Sequence, residues 1–454
     1  MKQILTGFCL LIIGLAFSFS ASAQGVPAKA FKNIILHQAD GSTVNDAVIV
    51  WRNGVIETAG KKKTIPFDAE VWDGGDSLHV YPGFIDGTGY WGSPDRKEFE
   101  ETPSRGDPSY ERAGIRPERH ARETVDMKSE DFKKVMEAGF TTAALGTKGY
   151  MIPGQLDLFL LQPEMEIGDL YAEGIGMQLQ FQDSYRVYPS TTMAIMAKLE
   201  QLILEAKALK EWQGYYASSS TEIAPPENDP VLEALYPVME NEQRVFFKVD
   251  SKENIERVFQ LQDELGFDWV LVSGMEAYKV ADELKKRNVP VLASINFPKK
   301  PDWKKDDKDD KKDKKEKKKK AEEEEEVTEE MKAFREKRWQ AYLLLYKNIS
   351  ELMEADVSVG FASADLELKE MSNRMNDWKE YGDIKPNEML KVMTANTADI
   401  LGKGKELGGL KKGQVASFSV MTKPFTEEET KVVYSVSAGE MNELNDLTQT
   451  EEDN

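Results

Sequence analysis

The sequence has very little cysteine and histidine. Cys9 is the only cysteine among 454 residues, and it lies in an apolar run near the N-terminus. The rest of the chain therefore has no thiol for a disulfide, a thiolate metal site or a cysteine nucleophile. Only three histidines are present, His37, His79 and His120. None of them has the spacing of a metal ligand, so each is predicted to be an ordinary loop or strand residue.

Long apolar runs are also scarce, and one at residues 4–19 stands apart from the rest of the chain. It follows Lys2 and precedes the small residues at 21–23, which form a cleavage site. Residues 1–23 are therefore predicted to be a secretory signal peptide. The run is short for a bilayer span. We expect an exported protein, periplasmic or secreted, without a stable membrane anchor after cleavage.

The chain has fewer basic than acidic residues. The chain has 59 Lys and Arg against 80 Asp and Glu, which gives a formal net charge of −21. Such a protein repels nucleic acid and anionic membranes, so no nucleic-acid partner is expected. The one basic stretch is a lysine–aspartate run within residues 299–330, and glutamates follow it. This segment is predicted to be a solvated, low-complexity insertion, and a polyelectrolyte contact is the functional alternative.

The two ends of the chain share a β-rich pattern. Short apolar runs broken by Gly and Asn turns occur in residues 24–80 and again in 403–440. Such runs are typical of hairpins. We predict that the two segments form one small composite β-sandwich domain, and that residues 441–454 are an acidic tail.

The middle of the chain, residues 81–402, alternates strand-length apolar runs with helical stretches, which is typical of a parallel sheet. About eight such units in roughly 320 residues predict an α/β fold with a (β/α)8 TIM-type barrel. The runs at 155–162 and 176–181 also fit a hairpin. The predicted strands are 81–86, 140–146, 155–162, 176–181, 244–249, 268–273, 290–296 and 357–362, and the predicted helices are 122–138, 191–210, 228–240, 252–265, 275–287, 327–355 and 386–401.

Several segments carry a family resemblance. The sequence Tyr-Pro-Gly-Phe-Ile-Asp at 81–86 resembles the first barrel strand of the amidohydrolase superfamily, close to its imidazolonepropionase-like and dihydroorotase-like members. Segments 139–142, 393–402 and 407–413 fit the same family in the same order. The resemblance implies an amidohydrolase barrel with a composite β domain, and metal-dependent hydrolysis of C–N bonds.

The metal-ligand positions depart from the family pattern. In the family, two histidines after the first strand, one on each of two later strands and an aspartate on the last strand hold one or two divalent ions, which activate water. The resemblance places these positions at the barrel mouth. They are occupied here by Thr88, Tyr90, Lys248, Ser273, Ser363 and Ala364. Asp365 follows directly, and a shift of one residue in the alignment restores the aspartate.

No catalytic or metal-binding residue is assigned from the sequence, but six residues are candidates for ligand binding at the barrel mouth. A lysine there can be carbamylated, form a Schiff base, replace a cation or pair with a carboxylate, for which Asp86 is the candidate partner. Tyr90 with Trp91 can form an aromatic wall or fill the space of a metal centre. The six candidates are Asp86, Thr88, Tyr90, Lys248, Ser273 and Asp365.

Two functions are compatible with this pattern. The first is a metal-free pseudo-enzyme that needs no cofactor and binds a small-molecule ligand or an active amidohydrolase paralogue. The second is an active hydrolase of C–N bonds, acting on non-peptide or dipeptide amides, whose single zinc, manganese or iron ion is held by carboxylates such as Asp86 and Asp365. The first is preferred because metal chemistry needs ligands that are missing here.

Overall fold

The computed structural model describes residues 26–99, 105–218, 224–301, 303 and 328–446. The predicted signal peptide and most of the charged insertion lie outside these residues. The strands are β1 (Lys29–His37), β2 (Thr43–Arg52), β3 (Val55–Lys61), β4 (Glu70–Asp73), β5 (His79–Pro82), β6 (Phe84–Gly89), β7 (Phe140–Leu145), β8 (Gly154–Leu160), β9 (Leu170–Gln180), β10 (Val245–Val249), β11 (Trp269–Ser273), β12 (Val291–Ser294), β13 (Val359–Ala362), β14 (Phe418–Met421), β15 (Val432–Ser437) and β16 (Glu440–Glu443).

Helices accompany the middle strands. The α-helices are α1 (Tyr110–Ala113), α2 (Asp131–Glu137), α3 (Thr192–Ser218), α4 (Pro230–Glu233), α5 (Tyr236–Met239), α6 (Lys252–Leu265), α7 (Ala281–Lys286), α8 (Glu329–Tyr346), α9 (Asn348–Glu354), α10 (Leu368–Tyr381), α11 (Pro386–Lys391) and α12 (Thr397–Ile400). The described residues also include the 3-10 turns Ala121–Glu123, Ile167–Asp169 and Ala277–Val280 and a π-helical turn, Val392–Asn396.

Strands from both chain ends pair in one eight-stranded sheet, in the order β16-β15-β14-β5-β1-β2-β3, with β4 also paired to β1. The sheet is continuous because β1 pairs along one edge first with β4 and then with β5. This differs from the two separate sheets of a sandwich. Phe31, Trp51 and Phe418 pack in its core with ring centroids 5.2–6.3 Å apart.

Two expected boundaries are corrected. Tyr81 and Pro82 pair with β14 in the small sheet, and the first barrel strand begins after Gly83, where a Cβ would overlap the Thr141 side chain. At the other end, β16 extends into the segment expected to be tail. It forms because a tight turn at Ala438 and Gly439, both with positive φ, folds the chain back onto β15.

Two of the three histidines meet on the small sheet. His37 Nε2 lies 2.9 Å from His79 Nδ1, and the His37 ring stacks on Tyr81 with centroids 4.1 Å apart. Burial, helped by the charge of His79, lowers the pKa of His37 from 6.5 to about 4. The pair therefore favours neutral imidazoles.

The folded state is predicted to lose stability on acidification through His37. Its native pKa is depressed, so the unfolded chain takes up a proton first, and stability falls as pH drops from 6.5 towards 4. Between pH 7.5 and 4.5, the free energy of unfolding is expected to fall in both the parent protein and His37→Gln. The fall is expected to be larger in the parent by about 1–2 kcal/mol, a figure already reduced for the partial exposure of the ring. Urea titrations at both pH values measure this, and equal losses in the two proteins would contradict it.

The second sheet is a nearly closed barrel in the order β6 to β13 along the chain. The pairs β6–β7, β9–β10, β10–β11, β11–β12 and β12–β13 are parallel. Strand β8 is the exception, because it runs antiparallel to both β7 and β9. The eight parallel strands of a TIM barrel are therefore not reproduced, and the alternative hairpin interpretation of this region is correct. The connections on either side of β8 are too short for a crossover helix.

The helical predictions are mostly confirmed, and α6 has the predicted bounds, with Ser251 capping it. Residues 228–240 form two short helices, α4 and α5, instead of one. Helix α10 was not predicted, although Met371 and Trp378 are buried along one of its faces. Among the helices of the described residues, none combines the length and apolarity needed to cross a bilayer.

Candidate functional site at the barrel mouth

The barrel closes between its first and last strands. The backbone N–H of Ala364, just after β13, donates to the carbonyl of Thr88 on β6 over 2.8 Å. Gly89 and Ala364 form a single parallel bridge at the same point. The carboxyl ends of parallel strands meet here, which is the end where barrel enzymes hold their active sites.

Asp86 is the centre of this closure. Its side chain is fully buried and accepts hydrogen bonds from the backbone N–H groups of Ser363 (2.8 Å) and Thr88 (3.2 Å), and from Trp91 Nε1 (2.8 Å). The Ser363 hydroxyl donates to the same carboxylate. Burial raises the pKa of Asp86, and these hydrogen bonds oppose that shift. The carboxylate thus joins the first strand to the segment after the last one.

Tyr90 fills the space above this network. Its side chain is 9% exposed, and its hydroxyl accepts a hydrogen bond from Gln178 Nε2 on β9 over 3.2 Å. Burial raises the pKa of Tyr90, so its phenol stays protonated at neutral pH. The Gln178 carbonyl accepts from the backbone N–H of Thr147 over 3.1 Å. Tyr90 is therefore held by the strand across the barrel.

Lys248, on β10, points to the same place. Its ammonium pairs with Asp365 over 2.7 Å and lies 5.4 Å from the centroid of the Tyr90 ring. Burial opposes the charged form of Lys248, but Tyr90 and Asp365 outweigh it, and the pKa is raised. Asp365, not Asp86, is thus the carboxylate that pairs with Lys248, which corrects the expected partner. The Asp86 carboxylate instead accepts hydrogen bonds from Ser363 and Trp91.

Little room is left between these side chains. The cavity volume at the mouth is about 0 Å³. A typical ligand site encloses several hundred cubic ångströms. The residues that surround the space are Thr88, Tyr90, Pro153, Gln178, Leu179, Gln180, Phe246, Lys248 and Val272.

The structure brings most of the six candidates together. Thr88, Tyr90 and Lys248 line the mouth, Asp86 lies beneath them, and Asp365 caps Lys248. Ser273 ends β11 in a left-handed conformation, with φ 73°, outside the lining of the closed space. Whether any of the six binds a ligand stays a prediction.

Sequence reasoning missed two lining residues. Gln178 and Gln180 are 4% and 5% exposed and point into the barrel from β9. Gln180 Nε2 donates to the carbonyls of Gly149 (2.8 Å) and Tyr150 (2.7 Å), and so fixes the loop after β7 over the mouth. Their signal was available, because two amides at alternate positions of an apolar strand must share one face.

At three of the positions that the sequence resemblance assigns to metal ligands, the side chains are poor donors for a divalent metal ion. Such ions are bound by imidazoles, thiolates or carboxylates in their unprotonated form. Here the corresponding atoms are an ammonium on Lys248, a protonated phenol on Tyr90 and a hydroxyl on Thr88 that donates to Gly87 over 2.6 Å. Within the described ranges, no group of three or more His, Cys, Asp or Glu side chains is placed to hold a metal.

Comparison with known proteins identifies the fold. No family model and no curated protein matches the sequence. Among solved structures, an amidohydrolase from Thermotoga maritima MSB8 is similar, with a TM-score of 0.71 and 18% identity over 91% of this chain and 99% of that one. A prolidase complexed with N-methylphosphonate-L-proline has a TM-score of 0.52 and 14% identity, over 92% and 99% of the two chains. The chain therefore has the fold of the amidohydrolase superfamily, as its sequence motifs predicted.

Proposed function

We propose that this chain is a metal-free pseudo-enzyme with the amidohydrolase fold. The observation that carries the proposal is the state of Asp86, a buried carboxylate that accepts hydrogen bonds from Thr88, Trp91 and Ser363. Asp86 could bind a metal ion, as the alternative function requires, only by giving up these donors. The neighbouring Lys248 adds a positive charge where the family holds a cation.

The filled mouth favours one of the two roles that a pseudo-enzyme can have. A small molecule at the mouth would have to displace Tyr90, which is packed and hydrogen-bonded to Gln178. A protein partner needs no such displacement, because it binds the outer surface. The proposed role is therefore to bind an active amidohydrolase paralogue outside the cytoplasm, where the signal features of residues 1–23 direct the chain.

The competing function is an active C–N hydrolase with a carboxylate-held metal. Asp365 favours it to a degree, since its side chain is 51% exposed and lies next to the mouth. Metal binding would require Asp365 to leave Lys248 and Asp86 to leave its donors. That rearrangement costs two charge-assisted interactions in a buried or half-buried setting.

Elemental analysis of the purified mature protein, residues 24–454, distinguishes the two functions. The protein is purified without chelator, offered zinc, manganese and iron, dialysed, and measured for metal per chain and for hydrolysis of amide, dipeptide and cyclic-imide substrates. We expect less than about 0.1 metal per chain and no turnover, because the donors are protonated or already paired.

The Asp365→Asn variant is the matched control, since it removes the carboxylate that the alternative requires and keeps the side-chain size. Stoichiometric metal in the parent that is lost in this variant would establish the carboxylate site and refute the pseudo-enzyme. Equal traces of metal in both proteins would be adventitious and would leave the proposal standing.

A further inference from the structure

A wide cleft lies at the opposite end of the barrel from the mouth. It has a volume of about 740 Å³ and is bounded by α2, α10 and the connection between β14 and β15. Phe84 and Phe140, the first residues of β6 and β7, form part of its floor. The first and last barrel units thus meet the small sheet around a cleft whose size matches a small-molecule site.

The floor of this cleft is aromatic and rich in methionine. Phe84 packs edge-on against Phe140 and Phe425, with centroids 5.7 and 5.5 Å apart. Met371 and Met375 of α10 line the wall. Methionine side chains are flexible and polarisable, and they adapt to apolar groups of varied shape. The floor therefore suits a flexible apolar chain.

The rim of the cleft is acidic, unlike its apolar floor. Six carboxylates and two lysines line it, so acidic residues outnumber basic ones there by three to one. In the whole chain the ratio is only 80 acidic to 59 basic residues. Both lysines are already paired, Lys369 with Glu367 over 2.6 Å and Lys134 with Glu130 over 3.7 Å. The rim carboxylates are Asp131, Glu137, Glu367, Glu427, Glu428 and Glu429.

We propose that this cleft binds an amphiphilic cation, a small molecule with an apolar body and an ammonium or guanidinium end. The apolar body packs against Phe84, Phe425 and Met375, and removing its surface from water stabilises the complex. The cationic end stays at the rim, where Glu427 and Glu428 attract it. The site is remote from the mouth, so its occupancy does not depend on whether the mouth holds a metal.

The test is calorimetric titration of the mature protein, residues 24–454, with decyltrimethylammonium, kept below its micelle concentration. Decyl maltoside, with the same apolar chain and no charge, is the comparison probe. We expect the cation to bind at one site, at least about tenfold tighter than the neutral probe at low salt. Circular dichroism in the presence of each probe shows that the protein stays folded.

Three variants locate the site. Ser372→Trp places an indole into the cleft from an exposed position on α10, and is expected to abolish binding. E427Q/E428Q/E429Q is expected to weaken binding of the cation about tenfold and leave the neutral probe unchanged. E98Q/E164Q/E211Q removes the same charge at exposed positions elsewhere, and is expected to have no effect.

The results of these titrations show whether the cleft binds an amphiphilic cation or a second copy of the chain. Equal affinity for both probes, or binding that survives Ser372→Trp, overturns the proposal. Absence of binding by either probe also overturns the proposal. If Ser372→Trp then changes the oligomeric state in sedimentation, the occupant of the cleft is a second copy of the chain. Should Ser372→Trp fail to fold, the charge variant and its control still decide it.

Discussion

Replacement of Asp86 by alanine is expected to lower the free energy of unfolding by about 3–5 kcal/mol, as for other buried charged networks. The side chain is fully buried and receives hydrogen bonds from Thr88, Trp91 and Ser363. Alanine leaves those donors unpaired inside the protein and separates the first barrel strand from the segment after the last one. Urea denaturation followed by tryptophan fluorescence and by circular dichroism measures the loss.

Two comparisons make this result specific. Asp107→Ala removes an exposed aspartate and is expected to change stability by less than about 0.5 kcal/mol. Asp86→Ala and Ser363→Ala share one network, so the double variant is expected to be more stable than the sum of the single losses predicts. Strict additivity, or an Asp86→Ala loss below about 1 kcal/mol, would show that Asp86 does not join the barrel ends.

The fold was predictable because its signals are local and repeated. Strand-length apolar runs separated by amphipathic helices specify a parallel barrel, and the segment 81–86 identified its first strand. The reversed strand β8 was only an alternative, because a buried strand carries the same apolar pattern in either direction. Its direction is set by the short connections on either side, which leave no room for a crossover helix.

The candidate site was predictable in position but not in pairing. The positions Thr88, Tyr90 and Lys248 were implied by the family resemblance of the strand ends, and the structure places these residues together. The partner of Lys248 did not follow, since Asp86 and Asp365 lie near the same mouth and only side-chain geometry separates them. A carboxylate buried with several donors and one beside an ammonium look alike in a sequence.

Replacement of Tyr90 by alanine is expected to cost about 3–4 kcal/mol of stability, because it removes a buried aromatic ring from the barrel mouth. The same change leaves Gln178 without its acceptor and Lys248 without the ring beneath its ammonium. Tyr90→Phe keeps the ring and removes only the acceptor, so its expected cost is about 1 kcal/mol. Thermal and urea unfolding of the three proteins measure the series.

This series decides whether Tyr90 fills the mouth or forms the wall of a ligand site. A side chain that fills space makes its main contribution through its ring, so alanine must cost far more than phenylalanine. A wall residue facing an open site would lose little with either change, as expected for the exposed Tyr215→Ala control. A cost below about 1 kcal/mol for Tyr90→Ala would mean that the mouth is open in solution. A small-molecule ligand at the mouth would then be favoured over a protein partner.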